Sequence, residues 1–408
     1  MLQTLRLSYK NPLSTVYNII DNIAHTVDKE CICTYRIKRI ESIVSKILRF
    51  PKMSVQNAGD IAGCRCIMAT TELAIKLFNK LEKSQEKLPF TIKEKVRNYI
   101  EEPKPNGYRS IHLYVQMDND PGKVIEIQIR SIEHHNWATL VEISDMVFQS
   151  RLKEFEDKYS PELYKFHWIL SKRDNELTML DNKIIAEISG KYRYLEKVGS
   201  IFTNNSLELR KERNKLKINK FSYFLISTGA DGKPLLKGFE NFDEAEDEYF
   251  KMFSNNPDNR NIVLTHLKHT SYDKLSIAYS NYFLTYNSIL LRILKAISKV
   301  AIDEYNRYSI TQFKKHYKAF WYIITIWFGD KLSEANVFDK DINVKKSKRK
   351  NKEWASSIFS SLLDVTQLIR NMQNSFNNNI FYCIIRFHKK KLDKLFSQKI
   401  KDLSHHSH

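Results

Sequence analysis

No run of 18 apolar residues occurs in the 408-residue chain, and its richest stretch, Ala319 to Phe328, is too short to cross a bilayer. That stretch reads as a buried helix. Met1 to Lys10 lacks the basic segment and apolar core of a secretory signal. Cysteine is scarce: five residues stand as Cys31/Cys33, Cys64/Cys66 and Cys383. Neither the spacing nor the odd count suits a zinc motif or a disulfide framework. His134 and His135 lack the i, i+4 spacing of a two-histidine helical metal site and read as surface or cleft-edge residues. The terminal Ser404-His405-His406-Ser407-His408 is too short and frayed to count as a metal site. No internal repeat is evident. These absences exclude a membrane-spanning chain and leave the reducing cytoplasm as the expected compartment.

What is present is a core. Hydrophobic residues make up 42% of the chain and aromatics 12%, enough for two or three folded domains. The net charge of +19 is unevenly shared, with +5 on residues 1–200 and +14 on the remainder. Runs such as Arg210 to Lys217, Lys345 to Lys350 and Lys389-Lys390-Lys391 produce the excess. A basic surface attracts polyphosphates with salt-dependent strength, although each run taken singly also reads as an ordinary solvated segment.

Alternation carries the first chemical signal. From Val124 to Arg130, Glu126, Gln128 and Arg130 fall on one strand face while Ile125, Ile127 and Ile129 fall on the other. Three polar groups in register on a strand suit a cleft wall as well as a solvated face. Asp60 stands before the apolar run Ile61 to Met68, where a lone Asp reads first as a turn or cap residue. Asn106-Gly107 before Tyr108 and Arg109 is an ordinary turn signal. Arg36, Lys38, Lys46 and Arg49 alone read as a solvated helix face, His112 as a structural strand residue, and Trp137 as core.

In combination these blocks say more. Arg36 to Ile43 with Lys46, then Asp60 to Arg65, then Tyr99 to His112, then Glu126 to Ser131 with Trp137-Ala138 resemble, in order and spacing, the RelA/SpoT synthetase domain family. The likeness covers about residues 15 to 200. It implies a nucleotidyltransferase-like α/β (α+β) domain, built on a mixed five-stranded sheet flanked by helices. It also implies ATP-dependent transfer of pyrophosphate to a 3′-hydroxyl: attack falls on the β-phosphorus and AMP leaves. By the same resemblance Asp60 and Glu126 hold Mg²⁺, and Glu126 is the candidate base. Arg36, Lys38, Lys46 and Arg65 clamp ATP, Tyr108 stacks on the acceptor base beside Arg109 and His112, and Gln128 and Arg130 line the same wall. Two positions depart from the family pattern: Asn98 stands where an Asp is usual, and Glu142-Ile143 replaces a usual Glu-His pair. About 30 residues precede Arg36, too few for the hydrolase half of bifunctional members, so synthesis without degradation is expected.

The coarse architecture follows. Residues 13 to 50 read as helices ending at Pro51. Residues 60 to 131 read as strands with one helix from about Glu72 to Lys83, and 132 to about 200 as long helices. Phe221 to Ser227 and Asn261 to Leu267 read as strands around a helix from Phe242 to Phe253, with Gly229, Gly232 and Gly238 in turns. The expected domains are 1–200, the synthetase-like domain; 217–285, a small α/β module; and 286–408, a basic helical region with an exposed loop near 345 to 352. Three functions compete. The first is a small alarmone synthetase making (p)ppGpp from ATP and GDP or GTP. The second is a toxic relative that pyrophosphorylates the tRNA 3′-CCA end, with the basic half gripping RNA and an antitoxin or regulatory trigger as partner. The third is a non-catalytic nucleotide- or RNA-binding relative.

Overall fold

A computed structural model of the chain describes residues 2–38, 40–50, 59–93, 96–150, 160–198, 220–228, 234–255, 262–267, 286–324 and 367–372, with further positions at 152, 216 and between 365 and 394. The chain divides into two compact units. One joins Met1–Ser171 to Asn204–Thr285, and the other joins Lys172–Thr203 to Tyr286–His408. This division differs from the three consecutive domains expected from sequence.

The first unit is built on one mixed sheet of nine strands rather than five. Its strands are β1 (Ile32–Ile37), β2 (Ala62–Met68), β3 (Phe90–Ile92), β4 (Arg97–Asn98), β5 (Ile111–Met117), β6 (Asp120–Ser131), β7 (Tyr223–Thr228), β8 (Pro234–Phe239) and β9 (Val263–His266). The order is β3-β5-β6-β2-β1-β9-β7-β8, with β4 paired to β5. β2 and β6 run parallel, and the other pairs are antiparallel. The strands expected in a separate module therefore continue the same sheet, because β9 pairs with β1 in the register Tyr35↔Leu264.

β1 corrects the expectation that residues 13 to 50 are helices alone, since a strand stands between two helices there. Cys33, Tyr35 and Ile37 alternate with Thr34 and Arg36, the period of a strand. Gly238, expected in a turn, lies inside β8. A side chain there would meet the Phe221 ring at 2.4 Å, so glycine permits close cover by that aromatic. Pro51, Gly229, Gly232 and the Lys-rich segment near 345 fall outside the described residues.

Helices α1 (Leu2–Leu7), α2 (Lys10–Val27), α3 (Ile40–Arg49), α4 (Thr71–Ser84), α5 (Ile132–Phe148) and α6 (Pro161–Leu170) also belong to this unit, as does α8 (Phe242–Asn255). On α2 the buried residues Leu13, Val16, Tyr17, Ile20 and Ala24 recur at helical spacing. They join one apolar cluster with Cys33, Tyr35, Cys64, Ile125, Ile127, Ile129, Leu113 and Leu264, together with Leu77 of α4 and Tyr249 of α8. That cluster is the back of the sheet. α8 is tied to it by two hydrogen bonds: Tyr35 donates to Glu246 Oε1 at 2.8 Å, and the Ile37 amide donates to the Tyr249 hydroxyl at 2.9 Å.

The second unit contains α7 (Met179–Lys191), α9 (Tyr286–Asn306) and a helical stretch over 310–324. Thr178 and Asp181 form a reciprocal cap at the start of α7. Lys183 reaches Asp303 and Glu304 on α9 at 3.5 and 3.4 Å, beside a core that includes Ile185, Leu290, Ile293, Ile297, Phe313 and Phe320. No helix among the described residues is long and apolar enough to cross a membrane.

Candidate active site

Register gathers polar side chains on the front of β1, β2, β6 and β5. Arg36 pairs with Gly63, Gly63 with Glu126, and Glu126 with Tyr114; two residues along, Thr34 pairs with Arg65, Arg65 with Gln128, and Gln128 with His112. Side chains two apart share a face, so these rows form one wall. Gly63 is required by close approach, since a Cβ there would lie 2.4 Å from the Glu126 carbonyl oxygen.

Asp60 precedes β2 in a turn beside Gly59, next to the Tyr114 ring. Lys38 Nζ and Lys46 Nζ converge on its Oδ2 at 2.7 and 2.8 Å. This leaves Oδ1 without a hydrogen bond among the described residues. Burial works to raise the Asp60 pKa, but the Lys38 charge and the bonds from both lysines outweigh it and hold the carboxyl below its ordinary value. Lys38 is itself positioned through its backbone, with its carbonyl accepting from the buried Arg6 Nε at 3.0 Å.

Glu126 is enclosed by donors. His112 Nδ1 lies 2.9 Å from Oε1, the Tyr114 hydroxyl donates to the same oxygen at 3.2 Å, and Gln128 Nε2 donates to Oε2 at 2.9 Å. Against the upward push of burial, His112 and these bonds bring its pKa down to about 2. His112 also bonds the Tyr108 hydroxyl through Nε2 at 2.9 Å, giving a Glu126–His112–Tyr108 chain. Burial would lower the His112 pKa, but Tyr108 and Glu126 raise it above the usual histidine range. Burial would raise Tyr108, yet His112 and Arg130 bring it to about 7.

The cations on this wall crowd one another. Burial pulls the Arg65 guanidinium well below its ordinary value, and the charges of Arg130 and Arg36 add to the effect. Burial also lowers Arg130, which Tyr108 and Glu142 partly restore and Arg36 lowers again. Arg130 is 3% exposed, its Nε makes no hydrogen bond among the described residues, and its terminal nitrogen lies 2.6 Å from His135 Nδ1. Arg65 Nε donates to Gln128 Oε1 at 3.3 Å. Three guanidinium groups repelling one another on a half-buried wall form a place for a polyanion.

The expected residues thus divide by role. Arg36, Arg65, His112, Glu126, Gln128 and Arg130 share the wall, and Lys38 and Lys46 hold Asp60 at its edge. Tyr108 stands in a tight loop that Asn106 and Gly107 shape: Asn106 Oδ1 accepts from the Tyr108 amide at 3.1 Å, and Gly107 has φ +88°. Arg109 donates to the Ile100 carbonyl at 3.2 Å. Asn98 uses its side-chain oxygen within the same loop, accepting from the Ile100 and Glu101 amides at 3.2 and 3.4 Å. His135, expected at the surface or the cleft edge, is fully buried against Arg130. Trp137 is buried and donates to the His167 carbonyl at 2.8 Å.

Four residues take part to which the sequence reading gave no site role, although Tyr99, Lys104 and Glu142 stand in or beside its motif blocks. Tyr114 bonds Glu126, Glu142 acts on both Arg65 and Arg130, and Tyr99 meets Tyr108 and His112 edge-on. Lys104 Nζ sits 4.7 Å over the Tyr99 ring and 5.0 Å over the Tyr108 ring. Tyr114 had a signal, because it follows His112 at strand spacing.

Comparison with known proteins fits this wall. Residues 35–150 match the family model described as a region found in RelA/SpoT proteins. The chain is 38% identical over 141 residues to the GTP pyrophosphokinase YwaC of Bacillus subtilis, an alignment covering 31% of this chain and 62% of YwaC. It is 28% identical over 158 residues to the GTP pyrophosphokinase YjbM of the same species, covering 37% of this chain and 72% of YjbM. Among solved structures, small alarmone synthetase 2 from Bacillus subtilis aligns at 28% identity and a TM-score of 0.34, over 46% of this chain and 97% of that one. Residues 35–150, the segment that carries Arg36, Asp60, Arg65, Tyr108 and Glu126, form a RelA/SpoT domain.

Proposed function

We propose that this wall transfers the β,γ-pyrophosphate of ATP to the 3′-hydroxyl of GDP or GTP, releasing AMP and yielding (p)ppGpp. The observation that carries the proposal is the shared face of two ionised carboxylate sites and the crowded Arg36, Arg65 and Arg130. The relatives named GTP pyrophosphokinases support the reaction class.

Asp60 and Glu126 fit a hard divalent cation, because both are held ionised and Asp60 Oδ1 makes no hydrogen bond among the described residues; they are the residues that would hold Mg²⁺. Held there, Mg²⁺ would supply positive charge to offset the negative charge that builds during transfer. Arg36 and Arg65 take the triphosphate, and Lys38 and Lys46 reach it from Asp60. Glu126 accepts the proton of the attacking hydroxyl. A carboxylate held near 2 is a weak base, so the rate rests on in-line positioning and charge offset more than on base strength. Tyr108 stacks on the acceptor base in the position where Lys104 now covers its ring.

The test is transfer from γ-labelled ATP to GDP, GTP and deacylated tRNA in parallel, with Glu126→Gln as the inactive control. Label on a guanine nucleotide supports the proposal, and Tyr108→Ala should then raise the acceptor KM more than the ATP KM. An effect on ATP alone would remove the stacking role. The +14 charge of residues 201–408 favours a second reading, in which label appears on tRNA and the basic half grips RNA. No label on any acceptor would turn attention to a regulatory trigger or antitoxin partner, or to a domain that only binds.

A further inference from the structure

Behind the sheet, away from the arginines, α2 brings Asp21 and His25 against β1 and β9. His25 Nδ1 lies 2.8 Å from the Asp21 carbonyl oxygen and 3.2 Å from Asp21 Oδ1, and His266 Nδ1 lies 2.7 Å from Asp21 Oδ2. The two imidazole centroids are 5.3 Å apart. Cys31 and Cys33 complete the group. Ligand atoms of His25, Cys31 and Cys33 all lie within 4.8 Å of one another, and so do those of Asp21, His25 and His266. Cys33 is fully buried, and Asp21, His25 and Cys31 are buried too. Asp21 Oδ1 is buried without a hydrogen bond.

Packing alone does not call for this set. A buried cysteine serves as a small apolar residue, but here two thiols face an imidazole whose Nδ1 is already held by the Asp21 backbone carbonyl. The geometry points to a thiophilic divalent metal site, with zinc as the cation, in which His25, Cys31 and Cys33 are ligands. The Asp21 backbone carbonyl fixes the His25 ring through Nδ1, a main-chain anchor of the kind that orients metal-bound imidazoles, and leaves Nε2 for the ion. Zinc with bonds of about 2.0 Å to nitrogen and 2.3 Å to sulfur keeps its ligand atoms about 3.5–3.8 Å apart. The observed grouping within 4.8 Å closes onto such an ion with shifts of about 1 Å or less.

The role is structural. The ion would pin the end of α2 and the turn before β1, and Asp21 would pass that restraint through His266 to β9. The short Cys31-x-Cys33 spacing hid the site, because the histidines stand six residues upstream and, for the Asp21 partner, in a strand more than 200 residues downstream.

The test is metal analysis of the full chain in a His405→Ala, His406→Ala, His408→Ala background, which removes the terminal histidines as competing ligands. About one zinc per chain should survive gel filtration in metal-free buffer, and Co²⁺ exchange should give the intense near-ultraviolet band of cobalt–thiolate charge transfer. Cys31→Ser and Cys33→Ser should lose both signals. Cys66→Ser should keep both, although Cys66 Sγ lies only 3.7 Å from Cys33 Sγ. Should the serine variants fail to fold, mercurial titration of the parent chain decides: zinc released as two thiols react supports the site. Absence of stoichiometric metal, a cobalt complex without the thiolate band, or titration of the thiols without zinc release would each overturn it.

Discussion

The two halves of the sheet share one apolar back and differ at the front. Behind β5, β6, β2 and β1 lie Leu113, Ile127, Cys64 and Tyr35, and behind β9 and β7 lie Leu264 and Leu225, all in one buried cluster. In front, the first half carries Arg36, Arg65, Glu126, Gln128 and His112. The second half carries Phe224, Ile226 and Leu236, buried with Ile32, Ile67 and Leu267. A strand front closed by apolar neighbours contributes stability, whereas charges held at a half-buried wall cost desolvation that only a ligand fully offsets. One ladder thus serves two purposes, and the difference is open to test.

The largest separation should come from Phe224→Ala. Removing a fully buried aromatic from the second half should cost about 3–5 kcal/mol in urea unfolding. Transfer per folded molecule should remain, while Glu126→Gln should abolish transfer in a chain that still folds. Loss of transfer in fully folded Phe224→Ala would show that the halves do not divide the work.

Acid should expose the same asymmetry at a somewhat smaller scale. Glu126 titrates near 2 in the fold and near its ordinary 4.5 when unfolded, so between those values the unfolded chain binds the extra proton. Stability from this group is therefore complete above about pH 4.5 and drains as pH falls towards 2, amounting to about 3 kcal/mol. Urea midpoints at pH 7 and pH 3 should differ less in Glu126→Gln than in the parent. An unchanged difference would mean that the His112, Tyr114 and Gln128 bonds do not hold the charge.

How much of this was legible follows from distance along the chain. The alternation of Ile125, Ile127 and Ile129 with Glu126, Gln128 and Arg130 announced both faces of β6, because strand period is local. Helix α4 was legible for the same reason, its apolar residues standing at helical spacing. β1 was not, since the cations Arg36 and Lys38 look alike on a helix or a strand until Cys33, Tyr35 and Ile37 are seen to face the core. The joining of β9 to β1 was invisible, because the pair Tyr35↔Leu264 spans most of the chain and no local pattern encodes its register. For the site, residue types were readable from the motif blocks. The Glu126–His112–Tyr108 chain was not, because it depends on which residues the register sets opposite one another.

Gly63→Ala sharpens the comparison from inside the first half. The new methyl would meet the Glu126 backbone rather than a movable side chain, so the strands must part. The expected cost is about 1–3 kcal/mol, with transfer falling further than stability because Glu126 and Arg36 flank the displaced pair. Wild-type transfer in Gly63→Ala would mean that the spacing of β2 and β6 does not set the site.

The smallest effect is the most discriminating, because it crosses from one half to the other. Tyr249 belongs to α8, on the segment that carries the apolar-fronted strands, yet its hydroxyl accepts from the Ile37 amide one residue beyond Arg36. Tyr249→Phe keeps the ring in the core and removes the hydroxyl that accepts from Ile37. Leaving one buried amide unpaired should cost about 1–3 kcal/mol, at the low end if Ile37 relaxes toward another acceptor. The end of β1 would loosen, and Arg36 with it, so the ATP KM should rise a few-fold while the acceptor KM holds. A matched rise in both constants would point to general loosening of the fold. A rise confined to ATP would show that the second half, whose described strand residues present an apolar front, sets the position of a charged residue in the site.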